Sequence, residues 1–297
     1  MFIERKNKYM YDLSIIIVSW NTEKLVKDCL CSINKNTRNI SYEIFLVDNN
    51  SSDNTVSMIK NDFKDVKLME NKINNGFAKA NNQAIKLSTG KYVILLNPDT
   101  LIKENALNNM VDYLEKNPLV GIVGCKLLNV DGTLQESCRR FPDFETYANI
   151  LLKLHGLFPR KKCFQRYFMK DMNYDEVNEV DQVMGAALMY RKEVLGEKSY
   201  LDEDYWIWFE EVDFCYNVKK NGYKVVYIPC AQIMHYKAQS FNQLMKVKQQ
   251  KIFNKSLLLY FQKNGTKSDV LKLKMLFPIS LLLSYILQLC KRLSKRG

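Results

Sequence analysis

The residues best placed to do chemistry follow short apolar runs. They are Asp48 after Tyr42 to Val47, Asn97-Pro98-Asp99 after Tyr92 to Leu96, Glu210-Glu211 with Asp213 after Tyr205 to Phe209, and His235 after Ala231 to Met234. An acid at a strand end, fixed by the rigid φ of a preceding proline, can hold a divalent cation. Taken alone, Asn97-Pro98-Asp99-Thr100 is better read as a turn than as a metal site. The Glu210 cluster opens a predicted helix, where the helix dipole accounts for acids as readily as catalysis does. Acids beside aromatic rings, however, lose hydration and rise in pKa, which suits a proton acceptor. A lone histidine such as His235 is more often structural than a ligand.

These residues need strands to carry them. Leu13 to Val18 is a near-continuous apolar run, the pattern of a parallel strand covered on both faces. Thr22 can cap a helix through Ile33 whose inner face is Leu25, Cys29 and Ile33. Strand Tyr42 to Val47, a helix carrying Val56 and Ile59, strand Val66 to Met69, a helix from Phe77 to about Leu87 and strand Tyr92 to Leu96 complete a β-α-β-α-β-α-β alternation. That order predicts a mostly parallel sheet with helices on both faces. In such sheets ligands bind where strands end. The first strand-to-helix turn, Ser19-Trp20-Asn21-Thr22, has no G-x-G-x-x-G, so a dinucleotide-binding domain is excluded and a mononucleotide fits better.

Farther on, a helix from about Glu104 to Lys116 precedes strands Val120 to Val123 and Cys125 to Val130, and Asp131-Gly132 predicts a hairpin over Lys126 to Cys138. Residues 144–178 read as a helix and then a mobile loop. Val180 to Tyr190 returns to the sheet, with Gly185 and Ala186 small enough for a ligand to come close.

At 297 residues and 47% hydrophobic content, the chain suits one large globular domain with appendages, not a disordered or fibrous protein. The eight cysteines are scattered without C-x-x-C spacing, which argues against a zinc or redox centre and for reduced thiols in the cytoplasm. No signal peptide is expected from the opening residues. The net charge of +12 admits nucleic acid, membranes or anionic substrates. Its placement at Lys272, Lys274, Lys291, Arg292, Lys295 and Arg296, around an apolar stretch, favours a membrane surface and no nucleic acid.

Phe241 to Asn264 has amphipathic helical spacing, and Met275 to Cys290 is apolar apart from Ser280, Ser284 and Gln288, which share one face continued by Arg292 and Arg296. The apolar stretch is shorter than the roughly 20 residues of a spanning helix and contains Pro278, so it is expected to lie in the membrane interface. Packing on the catalytic domain or on a partner subunit is the alternative.

Taken in order, the motifs resemble those of the inverting nucleotide-sugar glycosyltransferases of family 2, with the GT-A fold, and among them the rhamnosyltransferase-like bacterial members. The resemblance is carried by Ser14 to Asn21, Val47 to Asp53, Asn74-x-Gly76-Phe77 with Asn82, and Leu96 to Thr100. It continues through Asp131-Gly132-Thr133-Leu134-Gln135, Gly185-Ala186-Ala187, Phe209 to Cys215, and His235. It implies an α/β GT-A fold, a mixed, mostly parallel sheet with helices on both faces, plus C-terminal helices. Residues 1–12 would be an extension and 13–240 the catalytic domain, its nucleotide-binding half reaching about residue 100 and its acceptor half following. Residues 241–297 would be C-terminal helices with a basic membrane-associating segment.

The implied activity is transfer of a sugar, with a lean to rhamnose, from a thymidine- or uridine-diphosphate donor to a saccharide or lipid-linked acceptor. It would proceed with inversion, in bacterial surface polysaccharide synthesis at the inner face of the cell membrane. By resemblance Ser19, Asn21, Asp48, Asn50, Gly76, Asn82, Asn97 and Asp99 bind the donor, and Gly185, Ala186 and Trp208 the acceptor. Asp99 and His235 would hold Mg²⁺ or Mn²⁺. Glu211 would be the base, with Glu210 and Asp213 orienting the acceptor or the helix, or exchanging roles with it.

Three departures stand out. Asn97 replaces the first acid of D-x-D, Glu211 stands where many members carry aspartate, and Ala84 replaces a frequent glycine without expected harm. Asn97 and the basic tail also suit a non-catalytic module that binds a sugar nucleotide or a membrane. Homo-oligomerisation is left open.

Overall fold

The computed structural model describes residues 8–196, 199–236 and 246–293, with side chains to residue 289. Strand β1 (Tyr11–Ser19), helix α1 (Glu23–Asn36), β2 (Tyr42–Asp48), α2 (Thr55–Asp62), β3 (Lys67–Glu70), α3 (Phe77–Leu87) and β4 (Gly90–Leu96) form the predicted alternation. Strand β5 (Thr100–Ile102), helix α4 (Ala106–Lys116) and β6 (Val120–Leu128) follow, then the short strands β7 (Leu134–Gln135) and β8 (Cys138–Arg139). Helices α5 (Phe144–Leu151), α6 (Leu154–Leu157) and α7 (Lys162–Tyr167) lead to β9 (Asn178–Glu179), β10 (Gln182–Val183) and β11 (Ala187–Arg191). The chain continues with α8 (Glu210–Lys220), β12 (Lys224–His235), α9 (Lys246–Asn264) and α10 (Lys267–Leu293).

The main sheet runs β3-β2-β1-β4-β11-β6-β12-β5. Strands β1 to β4 pair in parallel, β11 inserts antiparallel between β4 and β6, and β6 and β12 are parallel again. The sheet is therefore mixed, parallel in its first half. Ile15 and Ile17 pack on one face and Ile16 on the other, each fully buried, as the unbroken apolar run of β1 requires. A third cluster joins Tyr147, Phe209, Tyr260 and Leu273, bridging the sheet-bearing body and the C-terminal helices.

Several expectations change. The buried face of α1 is Val26, Cys29, Leu30 and Ile33, with Leu25 only half-buried. The α1 N-terminus is capped from outside: Thr22 makes no side-chain cap bond, and the Glu23 N–H donates to Asp53 Oδ2 at 3.0 Å. Residues 144–178 contain three short helices, not one helix and a loop, because Asp143 accepts the Thr146 N–H at 2.9 Å and starts α5. Residues 120–128 form one strand through Gly124, where a Cβ would stand 2.5 Å from Val183 Cγ1. The hairpin ends early: β6 pairs with Gln135, while Cys138 joins β10 in a separate small sheet. Residues 224–235 are one strand, β12, with irregularities between Lys224 and Val225 and between Ile228 and Gln232. The first residues of the helix expected from Phe241 lie outside the described residues.

Candidate active site

The strand-end acids open onto one cavity of about 440 Å³, lined among others by Ser19, Gly76, Asn97, Asp99, Gly185, Ala186, Trp208, Glu210, Glu211 and His235. Its floor is the carboxyl end of the sheet. Its wall is the loop from Tyr205 to Phe209, which carries the α8 acids.

Asp99 and His235 meet through sheet pairing, since Thr100 of β5 stands opposite His235 of β12 and the Tyr236 N–H donates to Asp99 O at 2.9 Å. Both side chains are buried, and His235 Nε2 lies 3.3 Å from Asp99 Oδ1, close enough to pair but without hydrogen-bond alignment. The tautomer follows from the neighbours. Gln135 Nε2 donates to Asn129 Oδ1 at 2.9 Å and to His235 O at 3.2 Å, which leaves Gln135 Oε1 to accept from His235 Nδ1 at 2.7 Å. Nδ1 therefore carries a proton, so Nε2, beside the Asp99 carboxylate, is the ring nitrogen left to bind a cation. This is how a metal-ligating histidine is held. Among the described residues no three His, Cys, Asp or Glu side chains cluster as a metal site. Asp99 and His235 are two oxygen and nitrogen donors that fit a divalent cation, provided a bound diphosphate and water complete its shell.

The α8 acids are presented by strained backbone. Trp208 and Phe209 are both left-handed, with φ of 66° and 71°. Such residues cost on the order of 1–3 kcal/mol each and persist only when surroundings hold them. Here the Phe77 N–H donates to Trp206 O at 2.7 Å, Ser256 Oγ donates to Ile207 O at 2.7 Å, and Phe209 packs among Tyr147, Phe253 and Tyr260. Gly76 is indispensable to the first contact: its φ is +81°, and a Cβ would fall 2.3 Å from Trp206 O. Gly185 lies against the base candidate, its missing Cβ 3.4 Å from Glu211 Cγ.

Burial, with the Glu211 charge beside it, holds Glu210 well above the ordinary carboxylate range. Burial also raises Glu211, but backbone N–H groups at the start of α8 favour its anion and oppose the shift. The two adjacent carboxyls thus titrate as a coupled pair, both raised by burial, and the pair holds a proton to higher pH than an exposed carboxylate would. Glu210 Oε2, Glu211 Oε2 and His235 Nε2, on residues that line the cavity, are buried without hydrogen-bond partners. Unsatisfied atoms gathered at one site point to a ligand.

Other predicted residues lie elsewhere. Asn82 does not line the cavity: its amide donates to Leu201 O and Glu203 Oε1 and accepts the Leu201 N–H, which pins a neighbouring loop. Asn21 and Asn50 are also absent from the lining and adopt left-handed turns, with Asn21 Oδ1 accepting the Ser52 N–H at 2.7 Å. Asp48 sits just behind the lining, one oxygen accepting the Ser51 N–H at 2.9 Å. Asp213 faces the C-terminal helices and accepts from Asn217 and Asn264, so it anchors α8 and is not at the reaction centre. Sequence reasoning assigned no role to Gln135 and missed Asn49, which lines the cavity and donates to Gly76 O at 2.9 Å. The Asp131-to-Gln135 motif held the signal for the first.

The family profile described as Glycosyl transferase family 2 matches residues 14–197, more than half of the chain. An N-acetylglucosaminyl-diphospho-decaprenol L-rhamnosyltransferase of Mycobacterium tuberculosis is 25% identical over 239 residues, covering 77% of each chain. A poly(ribitol-phosphate) beta-glucosyltransferase of Bacillus spizizenii is 24% identical over 279 residues, covering 88% of this chain and 42% of its own length. Among solved structures, a mannosyltransferase from Pyrobaculum calidifontis in complex with GDP-Man and Mn²⁺ superposes with a TM-score of 0.59 at 17% identity, over 96% of this chain and 76% of that one. Staphylococcus aureus TarS 1-349 in complex with UDP gives 0.55 at 17% identity, over 86% and 74% of the two chains. These structures share the GT-A architecture.

Proposed function

The chain belongs to glycosyl transferase family 2, and from that premise we propose that it moves a sugar from a nucleoside diphosphate to a saccharide or lipid-linked acceptor in bacterial surface glycan synthesis, inverting the anomeric centre. The observation that carries this reading is the meeting of Asp99–His235 and Glu210–Glu211 on one cavity. The similar M. tuberculosis protein, named for rhamnose transfer to a decaprenol-linked sugar, supports rhamnose and a lipid-linked acceptor.

Asp99 and His235 would hold Mg²⁺ or Mn²⁺, which when bound neutralises charge developing on the leaving diphosphate. Asp48, with one unpartnered oxygen, binds a ribose hydroxyl or base N–H, and Ser19 and Asn97 border the donor. Glu211 accepts the proton of the acceptor hydroxyl as its oxygen bonds to the anomeric carbon from the face opposite the diphosphate. The bond from that carbon to the diphosphate oxygen breaks, and its electron pair leaves with the nucleoside diphosphate. Glu210, protonated, donates a hydrogen bond to the acceptor, and Gly185 keeps space beside Glu211 for it. The enzyme works at the cytoplasmic face of the membrane that holds its acceptor.

Release of nucleoside diphosphate from thymidine- and uridine-diphosphate sugars, with and without Mn²⁺, tests this. Glu211→Gln should lower kcat by about 10²–10⁴-fold with donor affinity kept, and Asp99→Ala should abolish the metal response. A fully active Asp99→Ala enzyme would sink the reading.

A further inference from the structure

Helix α10 packs inward through Val270, Leu273 and Phe277 in its first half and through polar groups in its second. Ser280 and Ser284, buried, meet α9: Asn254 Nδ2 donates to Ser280 Oγ at 2.9 Å, and Ser284 Oγ donates to Gln250 Oε1 at 3.1 Å. The opposite side, Met275, Ile279, Leu282, Ile286 and Leu289, is exposed and recurs in alternating steps of four and three, which is one continuous face. Polar groups bonding helix to helix while apolar side chains look outward is the packing of helices against lipid.

A second exposed apolar pair lies on a segment tied to the same seam. Lys153, between α5 and α6, donates to the Gln250 Oε1 that also accepts from Ser284 Oγ. The short α6 that follows ends in Leu157 and Phe158, 72% and 60% exposed, with Arg160 and Lys162 beyond them. On α9, Lys248, Lys251 and Lys255 are exposed on one side.

We propose that α9, α10 and the Leu157-Phe158 corner form one platform lying in the plane of an anionic lipid bilayer, with the outward face of α10 among the acyl chains and the lysines of α9 among the headgroup phosphates. This rests on, and deepens, the membrane-proximal part of the reading above. The register of the two helices decides between lying and crossing. Lys267–Leu289 is long and apolar enough to span. Yet the Gln250–Ser284 and Asn254–Ser280 bonds bring Lys251 and Lys255 level with the middle of the uncharged stretch Met275 to Cys290. That stretch measures only about 24 Å against a hydrocarbon core of about 30 Å. Crossing would carry those lysines to the bilayer centre, whereas lying flat leaves them at the phosphates and sinks one face. A second copy of the chain is the weaker occupant, since it would set these lysines against its own, while lipid phosphates complement them.

The position suits the chemistry. Phe253 of α9 packs on Trp208 with ring centroids 5.9 Å apart, and its neighbour Asn254 holds Ser280. One helix therefore separates the lipid-facing side from the acceptor wall of the cavity, so a lipid-borne acceptor can reach Glu211 while its lipid stays in the bilayer.

Flotation of the full chain with vesicles of phosphatidylglycerol and phosphatidylethanolamine, and separately of phosphatidylcholine alone, tests the platform. The unsubstituted protein should float with the anionic vesicles, far less with the neutral ones, and less as salt rises. Leu282→Glu with Ile286→Glu should weaken binding by about tenfold or more, Phe158→Glu by less, and Leu119→Glu, an exposed apolar residue on another face, not at all. The proposal fails if the double variant floats like the parent, or if the parent floats with neither vesicle. It also fails if light scattering finds a vesicle-free dimer that the double variant splits, because a second copy then covers the face. Nucleoside diphosphate release by the same proteins separates the two ideas: release without flotation sinks the platform alone, and flotation without release sinks the transferase reading alone.

Discussion

Gln135 bonds only through His235 to the reacting groups, and that makes it a sharp test of the metal reading. In Gln135→Leu, His235 Nδ1 loses the acceptor 2.7 Å away while the ring stays buried. A buried donor left without a partner costs about 1–3 kcal/mol. The ring can escape that cost by moving its proton to Nε2, which then faces Asp99 as a donor and no longer offers a lone pair. With 1.4 kcal/mol per tenfold, Mn²⁺ affinity should fall by about 5- to 140-fold, which spans the roughly 10- to 100-fold loss met when the partner of a ligating histidine is removed. Mn²⁺ binding is followed by electron paramagnetic resonance with and without nucleoside diphosphate, and metal-free nucleotide binding by calorimetry. Gln135→Glu keeps an oxygen for Nδ1 and should recover most of the affinity. The reasoning is refuted if the Leu variant binds Mn²⁺ within twofold of the parent. A loss shared equally by the Leu and Glu variants, or by metal-free nucleotide binding, would mark Gln135 as merely structural.

Glu210 gives a pH-dependent prediction. Its folded pKa is raised by burial and by Glu211, so its protonated form stabilises the fold below the unfolded value of about 4.3, and that contribution is lost as pH rises toward the folded pKa. Glu210→Gln should therefore melt higher than the parent near neutral pH, with a gap that shrinks by pH 5; an equal gap at both pH values contradicts the burial argument. Gly76→Ala should cost about 1–3 kcal/mol from its backbone alone, because φ 81° with ψ −174° is a region other residues rarely enter; it must also break the Trp206 contact, so denaturant titration should show the loss together with weaker donor binding. Asn82→Ala should lower stability by about 1–3 kcal/mol, because it frees the Leu201 backbone. Mn²⁺ affinity should stay within twofold, and a selective loss of metal binding would return Asn82 to the site.

The first half of the fold was legible because β1, β2 and β4 are buried on both faces, so each announces itself as an apolar run that stops where its acid or asparagine begins. Asp99 stands out by the same cue, whereas Glu211 is set apart from Glu210 and Asp213 only by the family resemblance. The distinction among the asparagines could not: Asn82, Asn21 and Asn49 share one chemistry, and only the fold decides whether an amide meets Leu201, a turn or the cavity. The helices between 144 and 167 were hidden because α6 and α7 are too short to show a period, and α7 is held by Cys163, Phe164 and Tyr167 packing inward. The polar stripe of α10 was visible, but its direction was not. Ser280 and Ser284 spaced by four suit water or a partner helix equally, and the deciding residues, Gln250 and Asn254, are far away in sequence.

The two halves of the cavity are held by different means. Asp99 and His235 are brought together by the pairing of β5 with β12 at the edge of the sheet, and Gln135 holds the His235 ring. The Tyr205–Phe209 wall is backbone that would relax if left alone, since its left-handed pair stores on the order of 2–6 kcal/mol. Half of what restrains it comes from α9, through the Ser256 bond to Ile207, the Phe253 rings and the Asn264 bond to Asp213. Helix α9 is held in turn by the Ser280 and Ser284 seam of α10. On the proposed reading, binding metal and nucleotide would be a property of the sheet, while placing the base against an acceptor would depend on the C-terminal helices. A chain without those helices should then still bind nucleoside diphosphate, measured by calorimetry, and lose turnover; loss of both together would refute this division.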